Sequence, residues 1–355
     1  MEIKLGTQWV GRGHPCLIIA EISCNHLQDK ARALEMIDAA ADAGATAVKF
    51  QAYTPDTLTL DPLAMAPSEK DHFTIQGSIW EGRSYYDLYQ EAFTPWEWFG
   101  DLMARARERG LFFLVTPFDE SAVDMLEDLG VDAYKVASFE INHIPLLERI
   151  RTTGKPVIFS TGTALLEDIE LALETLTFSP DGPVVPRPVI LKCTSAYPAP
   201  LEEANLATMV DMANRFSTLV GLSDHTTSPV LPAHAVALGA CVVEKHFTLE
   251  KKGPDAAFSL LPEEFAAMVD HIRQCEAALG KVSYEPSPKV VEHRAFMRSI
   301  FVAAPMGAGE VFTRDNIRVV RPGDGMHPRH YGMLLGKRAA RDIRAGEPLD
   351  WDMVG

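Results

Sequence analysis

Apolar runs of strand length alternate with amphipathic segments of helix length through most of the chain. Strands buried in a parallel sheet are nearly continuous apolar runs, and eight such runs occur at residues 17–23, 47–52, 111–117, 133–139, 156–161, 189–194, 218–223 and 240–247. Apolar residues at helical spacing predict helices between and after them, for example at residues 31–43, 94–109, 121–129, 165–176, 205–216, 229–238 and 262–279.

Eight strand-then-helix units predict an α/β fold of the (β/α)8 barrel (TIM barrel) class. An open doubly wound sheet that binds a dinucleotide fits less well, because no Gly-x-Gly-x-x-Gly follows the first strand. Several predicted helices end in a glycine, which is a usual helix stop: Gly44, Gly110, Gly130 and Gly239.

One connection is unusually long. Residues 53–85 contain three prolines and two glycines and have no clear period. A loop of this length in a compact domain is often functional, so two alternatives stay open, a lid over the active site and a surface excursion.

The pattern changes after Gly280. The following residues are polar with two prolines and read as a linker, and later segments are short with many turns. A weak repeat, AGEVF at 308–312 and AGEPL at 345–349, predicts two related hairpins. We therefore expect a catalytic barrel at residues 1–281, a linker at 282–297 and a small, mostly β domain at 298–355. A core this thin is expected to pack on a partner surface.

Composition narrows the class of protein. A net charge of −16 disfavours a nucleic-acid partner, and any anionic substrate then requires locally placed cations. The longest apolar runs are too short for a membrane span, and the N-terminus lacks a secretory pattern. Five cysteines without a C-x-x-C pattern favour buried free thiols and a cytoplasmic protein.

Two neighbouring predicted strands each end in a histidine. One run leads into Ser223, Asp224 and His225, and the next into Glu244, Lys245 and His246. The carboxyl ends of barrel strands meet at one mouth, where this fold keeps its active site. The two imidazoles are therefore candidates for sharing one divalent metal ion.

Other strand ends also carry polar side chains, which are expensive inside a barrel unless they are used or paired. They are Glu21, Ser23, Asn25, His26, Lys49, Gln51, Thr116, Lys135, Ser138, Glu140, Ser160, Lys192, Thr194 and Tyr197. The lysines and hydroxyl groups suit a phosphate-bearing ligand, and Glu21 and Glu140 are candidates for proton transfer. A Schiff-base aldolase with a lysine nucleophile is the alternative, although a metal with a phosphate ligand explains more residues.

The chain resembles the sialic acid synthase family over nearly its whole length. The resemblance is carried by residues 18–26 (IIAEISCNH), 48–51 (VKFQ), 134–140 (YKVASFE), 160–162 (STG), 221–225 (GLSDH) and 244–248 (EKHFT). Arg321-Pro322-Gly323 and the two Ala-Gly-Glu segments resemble the antifreeze-like (SAF) domain of that family.

The resemblance implies condensation of phosphoenolpyruvate with an open-chain amino sugar aldehyde to give a nonulosonic acid. It implies that His225 and His246 bind a divalent metal, usually Mn²⁺ or Mg²⁺, and act in catalysis with Glu21 and Glu140. It assigns phosphoenolpyruvate to Lys49, Thr116, Lys135, Ser138, Ser160 and Ser223. It assigns the metal and sugar pocket to Glu21, Gln51, Glu140, Tyr197 and Asp255, with Phe296 and Arg321 contributed by the linker and C-terminal domain.

It also implies a homodimer in which the SAF domain caps the barrel of the other subunit, with no nucleic-acid or membrane partner. The implied reaction is attack of phosphoenolpyruvate C3 on the aldehyde, addition of water at C2 and loss of phosphate by C–O cleavage, with the metal as Lewis acid.

Three segments resemble the pseudaminic acid synthase branch of the family: residues 53–57 (YTPDT), 138–141 (SFEI) and 191–200 (LKCTSAYPAP). Phe139 stands where the N-acetylneuraminate branch typically has glycine, and its apolar bulk suits a 6-deoxy sugar. The expected sugar is therefore 2,4-diacetamido-2,4,6-trideoxy-L-altrose. The alternatives are an N-acetylneuraminate or legionaminate synthase, a pyruvate aldolase, and a sugar-binding module that would explain only the C-terminal region.

Overall fold

Eight parallel strands close into a barrel in the first of the two units of the chain, Met1–Gly280 and Lys281–Gly355. The structure is a computed structural model and describes residues 1–178 and 186–355. The strands of the first unit are β1 (Glu2–Leu5), β2 (Gln8–Gly11), β3 (Leu17–Glu21), β4 (Ala47–Ala52), β5 (Phe112–Pro117), β6 (Tyr134–Val136), β7 (Val157–Ser160), β8 (Val189–Cys193), β9 (Val220–Asp224) and β10 (Val242–His246). The closed order β10-β3-β4-β5-β6-β7-β8-β9 confirms the predicted TIM barrel.

The helices are α1 (Lys30–Asp42), α2 (Pro55–Leu58), α3 (Pro67–Lys70), α4 (Tyr85–Ala92), α5 (Phe99–Glu108), α6 (Glu120–Leu129), α7 (Ile144–Thr152), α8 (Leu166–Thr177), α9 (Leu206–Phe216), α10 (Leu231–Ala237), α11 (Pro262–Leu279), α12 (Pro288–Glu292) and α13 (Tyr331–Leu334). Local caps set their limits: the Asp29 carboxylate accepts hydrogen bonds from the backbone N–H groups of Ala31 and Arg32 at the start of α1. Gly130 ends α6 with φ of 76°. Of the helices described, none is both long and apolar enough to cross a membrane.

Side chains along each barrel strand alternate between two cores. Ile19 of β3 lies inside the barrel in one apolar cluster with Leu5 of the β1–β2 hairpin. Its neighbour Ile18 packs outward in a second cluster, which includes Ile37 of α1. The hairpin, which the sequence pattern did not predict, therefore contributes to the core at the amino-terminal end of the barrel.

The long connection between β4 and α5 is more ordered than its sequence pattern suggests. It forms α2, α3 and α4, with 3₁₀ turns at Pro62–Ala64 and Asp71–Phe73. Thr74 and Ser84 form an isolated bridge that closes the loop between α3 and α4 on itself. Helices as short as α2 and α3, which each begin with proline, are too short to show the hydrophobic period that identifies longer helices.

The second unit contains the antiparallel pair β11 (Ser299–Val302) and β12 (Ile317–Val320) and a small apolar core around Ile300, Phe312 and Leu349. The predicted repeat forms two related turns. The Glu310 carboxylate accepts a hydrogen bond from the backbone N–H of Gly307, at 2.9 Å, and Glu347 accepts one from Arg344, at 2.8 Å. The predicted linker contains α12 and a 3₁₀ turn at His293–Phe296, and its limits stay a prediction.

Candidate active site

The interior side chains of each barrel strand change from apolar to polar towards its carboxyl end. In β3, Ile19 is buried in the apolar core and Glu21 follows two positions later. In β4, Ala47 is followed by Lys49 in the same way, and Glu21 and Lys49 are register partners. Because side chains of one strand repeat every second residue, this pattern gathers polar groups at one mouth of the barrel.

A cavity of about 610 Å³ opens at this mouth. It is lined by twelve of the residues expected at the site: Glu21, Lys49, Gln51, Lys135, Ser138, Glu140, Ser160, Tyr197, Ser223, His225, His246 and Asp255. Thr116 is buried in β5 behind the lining and accepts a hydrogen bond from Lys49 Nζ at 3.1 Å. Phe296 and Arg321 belong to the second unit, so their role at this cavity stays a prediction.

Two buried lysines share the carboxylates at the bottom of the cavity. Lys49 Nζ lies 2.8 Å from Glu21 Oε2 and 3.8 Å from Glu244 Oε1. Lys135 Nζ lies 3.6 Å from Glu244 Oε2. Ser223 donates a hydrogen bond to Glu244 at 3.2 Å. Glu244 was noted as a strand-end residue but not assigned to the site, although it lies between the two lysines expected to hold phosphate.

The environment sets different proton affinities for the acidic groups. Burial raises the pKa of Glu140 to about 7, and the positive charges of Lys135 and Lys49 oppose this rise. Burial opposes ionisation of Glu244, but Lys135 and Lys49 together hold its pKa below the ordinary value. Burial lowers the pKa of Lys135. The site therefore combines an ionised carboxylate with one that gains or loses a proton near neutral pH.

His225 and His246 lie next to one another, with ring centroids 5.2 Å apart. His225 Nδ1 is 3.0 Å from the carbonyl oxygen of Thr194, which only accepts hydrogen bonds, so this contact keeps a proton on Nδ1 and a lone pair on Nε2. Burial opposes the charged form of His225, whereas Cys193, 3.7 Å from the ring nitrogen, raises its pKa. Burial lowers the pKa of His246 well below the ordinary value, and the nearby positive charges of Lys49, Lys245 and Lys135 act in the same direction, so His246 is neutral.

These residues fit a divalent metal ion. Nδ1 of His246 is buried without a hydrogen-bond partner, 3.7 Å from Asp255 Oδ2. Two imidazoles with a nearby carboxylate are ligands that Mn²⁺ and related ions accept. Within residues 1–178 and 186–355, no three His, Cys, Asp or Glu side chains are arranged as a complete metal site, so the chain supplies a partial ligand set.

A second group of polar atoms lines the same cavity. The Ser138 hydroxyl accepts a hydrogen bond from the backbone N–H of Gly162 at 3.0 Å. Ser160 Oγ and Glu140 Oε2 are buried without hydrogen-bond partners. A side chain at position 162 would not fit, because its Cβ would lie 2.1 Å from Ser195 Oγ and 2.9 Å from Ser138 Oγ. Buried unpaired polar atoms are costly, so this wall is suited to a polar ligand.

Aromatic residues that sequence reasoning did not single out form the outer wall. Trp80 donates a hydrogen bond from Nε1 to the carbonyl oxygen of Pro254, at 3.2 Å, and its ring lies 5.8 Å from that of Tyr197. Tyr197 lies 4.5 Å from the His225 ring, and Phe258 lies 4.7 Å from the His246 ring. The density of aromatic residues between positions 53 and 93 was the signal in the sequence that could have identified this wall. Of the two alternatives for the long connection, the structure favours a role at the site over a surface excursion.

Several polar strand-end residues do not reach the cavity. His26 contacts Thr94 at 3.0 Å, and Asn25 donates hydrogen bonds to the Phe247 carbonyl and to Ser259. Lys192 donates to the carbonyl oxygen of Cys193, at 2.6 Å. These residues join loops and strands to one another. The five cysteines are free thiols, of which Cys24 lines the cavity.

Comparison with known proteins agrees with this geometry. The NeuB family model matches residues 36–284, and the SAF domain model matches residues 297–355. A pseudaminic acid synthase of Campylobacter jejuni is 42% identical over 94% of this chain and 94% of its own length. An N,N'-diacetyllegionaminic acid synthase of Legionella pneumophila is 34% identical over 97% of this chain and 96% of its own length.

A solved structure gives the same result for the fold. The spore coat polysaccharide biosynthesis protein SpsE of Bacillus subtilis is 36% identical, with a TM-score of 0.66 over 100% of this chain and 99% of that chain. The family match covers well over half of the residues, and the matched region contains the histidine pair, both lysines and Glu140. The chain is therefore an enzyme that belongs to the NeuB family of synthases and carries a C-terminal SAF domain.

Proposed function

We propose that the enzyme is a pseudaminic acid synthase that condenses phosphoenolpyruvate with 2,4-diacetamido-2,4,6-trideoxy-L-altrose, releasing phosphate. The observation that carries the proposal is one cavity lined by two chemically different groups of side chains. One group is the histidine pair, and the other comprises the Ser138 and Ser160 hydroxyls and the two lysines. This combination suits a metal-assisted aldehyde together with a phosphate ester.

His225 and His246 would hold a divalent ion, such as Mn²⁺ or Mg²⁺, beside Asp255. When bound, the ion supplies Lewis acidity for the sugar aldehyde. Ser23 donates a hydrogen bond to Asp255 at 2.5 Å, and Gln51 donates one to Ser23 at 3.1 Å. This chain fixes the carboxylate next to the histidines and limits the directions from which a sugar can approach.

Phosphoenolpyruvate binds to the second group of side chains in this proposal. Lys49 and Lys135 offset its charge, and the hydroxyls of Ser138 and Ser160 donate hydrogen bonds to it. Ser223 would join them by turning its hydroxyl away from Glu244. The cavity also contains Glu21, Glu140, Glu244 and Asp255. Four carboxyl groups outnumber two lysines, so a dianionic phosphate requires further positive charge, which the metal and Arg321 would supply.

Glu140 is suited to proton transfer because its pKa is about 7. Its Oε2 atom has no hydrogen-bond partner and is free to exchange a proton with water or with the sugar oxygen. In the proposed reaction, C3 of phosphoenolpyruvate attacks the aldehyde carbon, water adds at C2, and phosphate leaves by C–O cleavage. The aldehyde oxygen gains a proton and the water loses one, and Glu140 can carry a proton in either direction.

The choice of sugar rests on two observations. Phe139 lines the cavity at its rim, with 59% of its surface exposed, and offers an apolar contact for a deoxy carbon. Identity to the pseudaminic acid synthase of Campylobacter jejuni exceeds that to the legionaminic acid synthase of Legionella pneumophila. Synthesis of N-acetylneuraminate or legionaminate by the same chemistry is the alternative.

We also propose that the SAF domain caps the barrel of a second subunit in a cytoplasmic homodimer. Residues 281–355 contain 12 Lys and Arg and 9 Asp and Glu, whereas residues 1–280 contain 21 and 40. Opposite charges of this kind favour association of a basic cap with an acidic barrel. Arg321 and Phe296 would then enter the cavity of the partner.

The test is phosphate release from phosphoenolpyruvate with Mn²⁺ present, compared for the altrose derivative, N-acetylmannosamine and the legionaminate precursor. We expect turnover with the altrose derivative alone, its loss on addition of a chelator, and its loss in His225→Ala. His14→Ala is a matched control, because His14 pairs with Glu2 in the hairpin at the other end of the barrel. Preference for another sugar would refute the choice of substrate, and activity that survives the chelator would refute the metal.

A further inference from the structure

A buried ion pair that the chemistry does not use lies directly behind the two histidines. Lys245 Nζ is 2.6 Å from Asp224 Oδ2, and the two side chains are 0% and 1% exposed. Asp224 and Lys245 alternate along β9 and β10 with residues that face the barrel interior, so their side chains lie on the outer side of the barrel wall. Leu222 and Val243 lie on the same side, in the core between strands and helices. Neither side chain lines the cavity.

The pair holds the chain on both sides of His225. Lys245 also donates a hydrogen bond to the carbonyl oxygen of Thr226. Asp224 accepts hydrogen bonds from the Thr226 backbone N–H at 2.9 Å and from its hydroxyl at 3.2 Å. One ammonium group therefore contacts the residue before His225 and the residue after it, and this ammonium belongs to the residue that precedes His246.

The strand pairing shows why such a contact is needed here. The paired residues of β9 and β10 end at Asp224 and Lys245, one residue before the two histidines. His225 and His246 accept backbone hydrogen bonds from other neighbours, Ala199 at 3.0 Å and Leu260 at 2.8 Å. The pairing of β9 with β10 therefore stops one residue short of the two histidines, whereas the Lys245 side chain extends the connection past His225 to Thr226.

We propose that Lys245 is a positioning residue that sets the separation of the two metal-binding histidines by clamping residues 224 and 226 to β10. A purely stabilising role explains less, because a buried ion pair typically adds little stability over apolar side chains of the same size. The inference rests on the proposed metal site at His225 and His246. In this proposal, a residue outside the cavity sets the geometry of the metal ligands inside it.

The test is the affinity of the metal-free protein for Mn²⁺, measured by titration calorimetry in Lys245→Met. We expect binding to weaken about ten- to a hundredfold, the usual effect of losing a partner that orients metal ligands. Lys155→Met is the control, because the same substitution breaks an ion pair of similar length, the partly exposed pair of Lys155 with Glu127 at 2.5 Å, outside the cavity lining. Its Mn²⁺ affinity should equal that of the wild type.

A second variant separates positioning from the cost of an unpaired buried carboxylate. Asp224→Asn combined with Lys245→Met leaves no stranded charge but still lacks the clamp. We expect this double variant to fold, by circular dichroism, and to bind Mn²⁺ as weakly as the single variant. The imidazole ¹⁵N signals of His225 and His246 should shift in both variants and stay unchanged in Lys155→Met.

The outcomes distinguish the two proposals. Wild-type Mn²⁺ affinity in the double variant would overturn the positioning role and leave the metal site intact. A wild-type protein that does not bind Mn²⁺ would overturn the metal site and the role of Lys245 with it.

Discussion

Glu140 combines two requirements that usually conflict in a folded protein. It is buried, which raises its pKa to about 7, and it retains an oxygen without a hydrogen-bond partner. Strand β6 ends four residues earlier, and the 3₁₀ turn Ser138–Glu140 places the carboxyl group where the positive charges of Lys135 and Lys49 act on its pKa. Such a group is a good proton carrier and a source of instability, because an ionised carboxylate is poorly solvated there.

This conflict makes a testable prediction for Glu140→Gln in the metal-free protein. The folded state holds the Glu140 proton up to about pH 7, whereas the unfolded state releases it near 4.5, so the wild type loses stability as pH rises through this window. At pH 8 the variant should be more stable by about 3 kcal/mol, and near pH 4.5 the difference should vanish. Thermal unfolding at several pH values measures this difference.

The same substitution should lower kcat about a hundredfold or more if Glu140 carries a proton in the reaction. Glu148→Gln, on the neighbouring helix α7 and outside the cavity lining, is the control and should change neither property. A variant that is no more stable at pH 8 would contradict the raised pKa, and full activity would contradict the catalytic role.

Many polar residues that line the cavity were predictable from the sequence. The prediction also included residues that do not line it, for a physical reason. Glu21, Lys49 and His246 follow apolar runs at the spacing of one strand face, so their arrival at one mouth follows from the fold. His26 and Lys192 satisfy similar criteria but lie outside the cavity lining. A run of polar residues at a strand end does not reveal which of them continues the interior face.

Among the elements, the segment from Ile75 to Ala92 contributes Trp80, Tyr85 and Tyr89 to the aromatic lining of the cavity. Trp80 connects this segment to the loop that carries Asp255 through its hydrogen bond to Pro254. The two loops come from β4 and β10, and register places β3 between these strands. The contact therefore closes the cavity above the strand that carries Glu21.

Trp80→Phe tests this closure, because it removes the hydrogen bond and keeps an aromatic ring. We expect KM for the sugar to rise about fivefold, which corresponds to the net contribution of one hydrogen bond. KM for phosphoenolpyruvate should stay unchanged, since the recorded partners of Trp80, Pro254 and Tyr197, are not among its proposed ligands. Steady-state kinetics with each substrate varied in turn measures both constants.

Trp9→Phe is the matched control, because Trp9 lies in the hairpin at the amino-terminal end of the barrel and is 47% exposed. An equal rise in both KM values for Trp80→Phe would indicate a general loosening of the site and contradict the assigned role.

Most long elements were predicted to within a few residues, whereas the bounds of the short helix α7 were not given and the β1–β2 hairpin was not predicted. The eight barrel strands are long apolar runs bounded by helices, so their positions were clear. Helix α7 has nine residues, and each strand of the β1–β2 hairpin has four. The residue before α7 is a histidine cap, in which His143 Nδ1 accepts a hydrogen bond from the Leu146 backbone N–H. The cap depends on a ring orientation that only the folded chain defines.

For the whole molecule, the difference in charge between the two units leads to a prediction about assembly. If the cap enters the barrel of the other subunit, Arg321→Ala and His225→Ala damage opposite subunits of each site. A mixed dimer then contains one intact site, formed by the barrel of the Arg321 variant and the cap of the His225 variant.

Random exchange of the two inactive variants should restore about a quarter of wild-type activity, because half of the dimers are mixed and each has one of two sites intact. Activity is measured before and after co-refolding or co-expression. No recovery in an exchanged sample, with mixed dimers verified by differential tags, would contradict capping between subunits. Each variant alone is the control and should remain inactive.

The alternation along β3 to β10 also has an evolutionary consequence. Each interior face is divided into a buried apolar half, which supports folding, and an outer polar half, which performs chemistry. Substitution of residues outside the strands, such as Phe139 or Trp80, therefore changes neither the apolar half nor the polar half of the strand faces. A lineage of such enzymes can exchange one acceptor sugar for another by drift in the rim alone, while the reaction and the scaffold are inherited unchanged.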